Sequence, residues 1–335
     1  MRMRKYKALL MGIMGVLLML FLCSCKAPET EPAANQGSGP GYSVTDDKGT
    51  LVTLAEKPKR ILTLSMSTDE ILLGLVPPEH MAAVNHLLDD PASSSIVDVA
   101  QQVPIKINNP SVEEIVALHP DLVIFPDWGD LDQVGSLRDV GVKVVVCKGV
   151  TDIAEIKETI LLLAKAVGEE NKGTRLVAQM DKKLAEIKIK TDKIAPDQRK
   201  NVVLISLMQT YGGSGCTFDD ACRYAGVVNG KATAGIKNGQ TMTKEQLVQI
   251  NPDILLLPNY NNHGHYDVDD FTKEYLDDPA LQTLTAIKNR QLVRPRDAYI
   301  YNGSQNIVFG VQEIAYAAYG DTFKQSANER ISAVE

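Results

Sequence analysis

The sequence predicts an α/β fold made of two related lobes, each a parallel sheet under helical cover. Two observations carry this. A sixteen-residue phrase occurs twice, as Ser111–Pro126 (SVEEIVALHPDLVIFP) and Thr243–Pro258 (TKEQLVQINPDILLLP), with five positions identical and eight closely similar, so chance is a poor explanation. Short apolar runs also alternate with helical patterns through each half, an arrangement that gives parallel strands.

The repeated phrase reads as one structural unit. Ser111 with Glu114, and Thr243 with Gln246, form capping boxes that satisfy the orphan N–H groups of a helix start. Ile115 and Leu118, and Leu247 and Ile250, then mark one buried helical face. His119 and Asn251 each precede a proline, which drives the chain out of the helix. The runs Leu122–Phe125 and Ile254–Leu257 are continuously apolar, as suits a strand covered on both faces.

The remaining elements follow in order. Tyr42–Leu54 alternates around Asp-Lys-Gly and predicts an opening hairpin. Strand Ile61–Leu64, a polar turn and helix Thr68–Leu75 come next, with Ser67 and Glu70 as a further capping box. After the first repeated unit stand a helix near Leu131–Val140 and strand Val142–Cys147. Asp152–Val167 is an amphipathic helix interrupted by Gly168. The charged stretch Glu169–Ile194 then spans about 40 Å as a helix and predicts a rigid strut joining the lobes. The second lobe repeats the plan: strand Val202–Leu207, a glycine-rich turn Tyr211–Cys216, and a helix near Phe218–Ala225 capped by Thr217 and Asp220. The second repeated unit follows, then a polar loop Asn259–Asp270, helical pieces to Lys288, strand Gln291–Arg294 and a last helix Gln305–Tyr319.

The ends carry an address. Arg2, Arg4, Lys5 and Lys7 precede the apolar stretch Ala8–Leu22, which is short for a membrane-spanning helix. Leu22-Cys23-Ser24-Cys25 resembles a bacterial lipobox, implying cleavage after residue 24 and lipid on Cys25. Lys26–Gly41 has the composition of a flexible tether. The expected organisation is a leader over 1–24, a tether over 25–41, a first lobe over 42–150, helices including the strut over 151–195 and a second lobe over 196–325. Removal of the leader takes the net charge from −7 to −11. That balance argues against nucleic acid, which wants a basic face. Cys147, Cys216 and Cys222 remain beyond Cys25, with no CxxC pair. Cys147 reads as a buried strand residue, and free thiols are favoured over a Cys216–Cys222 disulfide.

Ligands of open α/β sheets bind at the carboxyl ends of strands. This rule selects Ser65 and Met66, Trp128, Tyr211, the loop holding Tyr260, His263 and His265, and the segment Arg296–Asn302 with Tyr299 and Tyr301. Aromatics in loops suit a large flat or amphipathic small molecule.

Tyr42–Leu64, the repeated Pro-Asp units, Ala221–Asn229 (ACRYAGVVN) and the lipobox together resemble the substrate-binding lipoproteins of ABC importers, in the branch for iron–siderophore, haem and cobalamin uptake. The resemblance covers residues 42–320. It implies two Rossmann-like lobes joined by a long rigid helix, with the ligand cleft between the lobes. It implies capture of a small-molecule metal chelate outside the membrane, delivery to a permease with its ATPase subunits, and neither catalysis nor a cofactor of its own.

Ligand identity stays open at this level. Arg294, Arg296 and Lys148 are the basic candidates for a catecholate. His263 or His265, opposite Met66 or Tyr211, are candidate haem ligands, and Trp128, Tyr260 and Tyr299 suit a corrinoid. Sparse basic loops favour a neutral or weakly charged chelate. Relatives of this kind present one acidic residue, usually Glu, on each lobe to the permease. The expected docking groups here are Asp130 and Asp132 in the first lobe, and Asp267, Asp269 and Asp270 in the second. The rival class is an extracytoplasmic enzyme, yet Gly212–Gly215 matches neither a nucleophile elbow nor a phosphate-binding loop. A zinc receptor is a further rival, but His263 and His265 supply too few ligands.

Overall fold

Alternation of side chains across each strand decides where this chain's apolar residues go. The computed structural model describes residues 41–259 and 267–334. The leader, Cys25, the tether up to residue 40, Tyr260, His263 and His265 lie outside the described residues. The hairpin pairs β1 (Tyr42–Thr45) with β2 (Leu51–Leu54) in antiparallel register. The first lobe's strands are β3 (Ile61–Thr63), β4 (Met81–Asn85), β5 (Lys106–Ile107), β6 (Leu122–Pro126) and β7 (Val144–Cys147). They form one parallel sheet in the order β5-β4-β3-β6-β7. The second lobe's strands are β8 (Asn201–Leu204), β9 (Val228–Asn229), β10 (Ile254–Leu256) and β11 (Leu292–Val293). Their parallel order is β11-β10-β8-β9.

The two orders superpose strand for strand if β3, β4, β6 and β7 correspond to β8, β9, β10 and β11. The repeated phrase therefore supplies the strand beside the first strand of each sheet. Both predicted capping boxes are formed. The helices Val112–Ala117 and Lys244–Ile250 both end before proline, with His119 and Asn251 in the left-handed region at φ 47° and 43°. Asparagine tolerates that conformation better than histidine.

Even and odd strand residues pack into different cores. Ile61, Leu122, Ile124, Val202, Leu204, Ile254 and Leu256 face a shared interior cluster that also takes in Leu176, Met180 and Leu184. Their neighbours on the opposite sheet faces form two separate clusters. Leu62, Val123 and Phe125 pack with Ile115 in the first lobe, and Val203, Leu255 and Leu257 with Leu247 in the second. Burial of each such side chain contributes roughly 1.5–3 kcal/mol.

The strut is the helix Glu170–Thr191, shorter at both ends than the expected stretch. Gly168, at φ 67°, separates it from the helix Ile153–Ala166. Its first turn meets the first lobe, where Lys172 Nζ donates to the Leu75 carbonyl at 3.1 Å. Its last turn meets the second, where Lys190 Nζ donates to the Thr322 carbonyl at 2.7 Å. Burial of Leu176, Met180, Leu184 and Ile187 at spacings of three and four fixes one face inward.

The C-terminal segment beyond the helix Ile307–Tyr319 was not anticipated as an element. It runs back as an extended strap to the first lobe. Tyr299 Oη donates to the Glu329 carbonyl at 2.6 Å, Arg330 pairs with Asp98 at 2.7 Å, and Ala333 N donates to the Gly74 carbonyl at 2.9 Å. Two caps also differ from expectation. Ser65, not Ser67, caps the helix Met66–Leu73, so Glu70 falls in the second turn and points inward. Thr217 makes no cap, and its hydroxyl instead pairs with Tyr211 Oη at 2.8 Å. Cys147, Cys216 and Cys222 are buried free thiols. No helix among the described residues is long and apolar enough to cross a membrane.

Candidate functional site

The loops leaving the carboxyl ends of both sheets meet around a cavity of about 470 Å³. The first lobe contributes Met66, Ser67 and Glu70 after β3, with Leu87 and Ser93 after β4. The second contributes Ser206–Met208 after β8, Pro258 after β10, and Asp297, Tyr301 and Asn302 after β11. Most of this surface is carbon and sulfur, with hydroxyl, amide and carboxyl groups set into it.

Glu70 is the polar centre of the cavity floor. Its Oε2 accepts from Asn302 Nδ2 at 2.7 Å, Ser304 Oγ at 2.6 Å and Asn306 Nδ2 at 3.3 Å, while Gln305 Nε2 donates to its carbonyl at 2.9 Å. One carboxylate from the first lobe thus holds the whole turn that precedes the last helix of the second. Burial raises the Glu70 pKa, and these donors oppose the rise. Its neighbour Asp69 faces β4 instead. Oδ2 accepts from Asn85 N at 2.9 Å and Oδ1 from Thr63 Oγ1 at 2.6 Å. Burial raises Asp69 to about 8.

Behind the second lobe's wall, Lys231 is almost fully buried and donates from Nζ to the Tyr211 carbonyl at 2.9 Å. Desolvation lowers its pKa to about 8. The contact ties down the glycine-rich turn, in which Gly212 needs φ 97°.

Of the residues expected at the ligand, the structure places Met66 and Tyr301 on the cavity. Tyr211 stands behind Tyr301, ring centroids 5.2 Å apart. Ser65 is occupied as a helix cap. Trp128, 69 % exposed, lines a separate hollow of about 190 Å³ in the first lobe with Phe125 and Asn109. Tyr299 is buried against Phe309, and Arg296 donates from Nε to Glu313 Oε1 at 2.9 Å and stacks on Tyr299. Neither of these two lines the cavity, because both are covered by the C-terminal strap and the last helix. Asp297 lies within the expected segment Arg296–Asn302, whereas Glu70, Leu87 and the Ser206–Met208 turn were not anticipated. The expected strand Val202–Leu207 took in Ser206 and Leu207, but β8 ends at Leu204 and leaves them to turn toward the cavity.

The acidic candidates for docking are all exposed. Asp130 caps its helix by accepting from Asp132 N at 3.0 Å, and Asp267 accepts from Asp269 N and Asp270 N. Asp269 pairs with Arg294 at 2.7 Å and Asp270 with Lys273 at 2.9 Å. Glu113 and Glu245 occupy the same position in the two repeated helices, are exposed, and join no ion pair among the described residues.

Comparison with known proteins agrees with this architecture. A curated relative, the uncharacterized ABC transporter substrate-binding lipoprotein YvrC of Bacillus subtilis (strain 168), is 24% identical over 96% of this chain and 100% of its own. The Fe(3+)-citrate-binding protein YfmC of the same organism is 24% identical over 87% of this chain and 90% of its own. A cobalamin-binding protein of Halobacterium salinarum is 25% identical over 49% of this chain and 40% of its own. Among solved structures, the periplasmic heme-binding protein RhuT from Roseiflexus sp. RS-1 in apo form matches with a TM-score of 0.65, 22% identity, and coverage of 78% of this chain and 99% of that one. The periplasmic binding protein family model matches residues 61–299. The chain belongs to the periplasmic binding protein family.

Proposed function

We propose that this chain is the substrate-binding component of an ABC importer, holding a metal chelate such as a siderophore complex or haem in the cavity between its lobes. The carrying observation is the cavity itself: it exists only where loops of both lobes meet, and its walls are mainly apolar. Such a pocket grips a bulky amphipathic molecule. A second reading, a corrinoid, is supported by the uncharged hydrogen-bonding groups Ser67, Ser93, Ser206 and Asn302 on the same walls. Titration of the protein with ferric hydroxamates, haem and cobalamin tests both. Saturable, stoichiometric binding of one of them without turnover is expected, and no binding by a folded sample defeats the proposal.

Anchoring through lipid on Cys25 at the extracytoplasmic face is part of the same proposal, in keeping with the lipoprotein named among the relatives. Contact with the permease is assigned to one exposed acid per lobe. Asp130, Asp267, Asp269 and Asp270 are engaged within this chain, and Asp132 stands at the same position of its N-capped helix as Asp269, which is held by Arg294. Glu113 and Glu245 are related by the internal repeat and are open to a partner, which favours them. Charge reversal of both should abolish uptake with ligand affinity intact. If reversal of the aspartate clusters does so instead, the assignment passes to them.

A further inference from the structure

The first sheet reverses its direction of growth between β3 and β6. From β3 the chain moves outward through β4 to β5, then returns to the other side of β3 as β6. Open parallel sheets hold ligands outside the carboxyl ends of their strands at such a point. The hollow of about 190 Å³ beside Trp128 lies there: Thr63 and Leu64 stand at the end of β3, Phe125 and Pro126 at the end of β6. Asn85 and Ile107, which close β4 and β5, complete its far side. Every lining residue belongs to the first lobe. The volume falls below the roughly 300–1,000 Å³ of pockets for drug-sized molecules, so the hollow takes a single ring.

Its aromatic platform is exposed yet firmly mounted. Asp127 Oδ1 accepts from Gly149 N at 2.8 Å, Asp127 N donates to the Cys147 carbonyl at 2.8 Å, and Lys48 Nζ donates to Asp127 Oδ2 at 3.0 Å. A β-carbon on Gly149 would stand 3.3 Å from Trp128 Cδ1, so the indole lies against that loop. A β-carbon on Gly129 would come 2.8 Å from Phe125 Cε1, so the turn after Trp128 sits directly on that ring. An indole held in this way loses little freedom when a ligand covers it.

The polar part of the hollow is mostly amide. The side chains of Asn109 and Gln133 have no hydrogen-bond partner among the described residues, and Asn85 uses only its Oδ1, on Leu87 N at 2.9 Å. The carboxylate of Asp130 is engaged as a helix cap through Asp132 N. A purely aromatic ligand would leave those amides desolvated and unpaired, which is costly. A pyranose satisfies both requirements. Its ring C–H bonds, slightly positive, meet the negative face of the indole. Its hydroxyl groups each donate and accept, which matches amides that do both.

We propose that this hollow is a saccharide subsite, taking one uncharged pyranose ring stacked on Trp128 and hydrogen-bonded by Asn85, Asn109 and Gln133. The site does not depend on the chelate-binding reading. The ring belongs to a free saccharide or to a sugar carried by the molecule in the larger cavity, whose Met66 and Ser67 follow Leu64 in the same turn.

Trp128 is the only tryptophan of the chain, so indole emission reports this hollow. The full chain is titrated with the neutral methyl glycosides of glucose, galactose, mannose and N-acetylglucosamine at millimolar concentrations. The same sugars are also offered coupled to the amine of ferric desferrioxamine B, with the N-acetyl derivative as the sugar-free control. A saturable emission change is expected with at least one sugar. Asn109→Ala and Gln133→Ala, checked for folding by circular dichroism, should each weaken it about fivefold. Trp128→Ala, followed by saturation-transfer NMR, should lose it. Binding of a free glycoside that coupling does not tighten identifies a free saccharide. Tighter binding of a coupled sugar than of the control, lost in Asn109→Ala, identifies a sugar on the larger ligand. No emission change with any glycoside and no gain from coupling, in a folded sample, overturns the proposal whether or not the chelates themselves bind. A response that both amide variants leave unchanged overturns it as well.

Discussion

Gly303 of the second lobe lies so close to Ser67 of the first that a β-carbon there would sit 2.6 Å from Ser67 Oγ. The lobes touch backbone to side chain at the edge of the cavity, and a hydrogen at this position leaves room for the hydroxyl as it stands. Replacement of Gly303 by alanine must turn the Ser67 hydroxyl aside, and the new methyl then crowds Ser67 Cβ and Val150 Cγ2, both at 3.3 Å. A loss of about 1–3 kcal/mol is expected from such overpacking. Urea denaturation measures that loss, and ligand titration should show weaker binding at the crowded cavity edge.

Asp69 makes stability depend on pH. Its ordinary value of 3.8 is raised to about 8 in the folded chain by burial. Between those values the folded state binds more protons than the unfolded state, so this group's contribution is complete below pH about 4 and is lost as pH rises through about 8. Asparagine can replace the neutral acid: its amide can donate to Thr63 Oγ1, whose hydroxyl can turn to the Ser65 carbonyl 3.2 Å away. Urea midpoints of Asp69→Asn and the parent, compared from pH 5 to 8, should therefore converge at low pH and favour the variant at high pH. Parallel midpoints across that range would count against a neutral Asp69.

Lys231 acts in the opposite sense in alkali. With its pKa lowered to about 8 by desolvation, the unfolded chain binds the extra proton between about 8 and the ordinary value of 10.5. Its burial therefore costs most below pH 8, and the cost is relieved as pH rises above it. Lys231→Met should be more stable than the parent at pH 7, with the advantage shrinking by pH 10. If the variant instead loses stability at every pH, the contact with the Tyr211 carbonyl outweighs the desolvation.

The C-terminal strap should be needed for full stability. Deletion of residues 329–335 exposes the surface under Ile331 and Ala333, leaves Asn306 Oδ1 without the Ile331 N–H at 2.9 Å, and removes the carbonyl that Tyr299 Oη reaches. A loss of roughly 2–4 kcal/mol follows from one buried aliphatic side chain and the orphaned polar groups. A thermal melt checks it, and an unchanged midpoint would remove the strap's role.

The repeat was legible because each copy combines a capping box, a proline stop and a strand buried on both faces, three local signals that agree. The strut was legible from charge and length. Strands β5 and β9, of two residues each, carry no period for a sequence to show. Met81–Asn85 is marked only by two alanines and a valine between polar turns. Glu70 was read as a cap because Ser67 precedes it by three, but the helix begins two residues earlier at Ser65, which turns the carboxyl inward. Arg296 and Tyr299 follow a strand end and look like ligand groups. What covers them is a strap distant in sequence and without periodicity, so no local signal could place them.

The interior thiols give this molecule a built-in clock. Cys147 closes the last strand of the first sheet, while Cys216 and Cys222 flank and occupy the Thr217–Tyr224 helix of the other lobe. Burial raises all three above the ordinary thiol value, so an alkylating reagent reacts only as fast as the surrounding structure loosens. The order in which these sulfurs are modified reports which half of the molecule breathes first, and whether cargo slows one half or both.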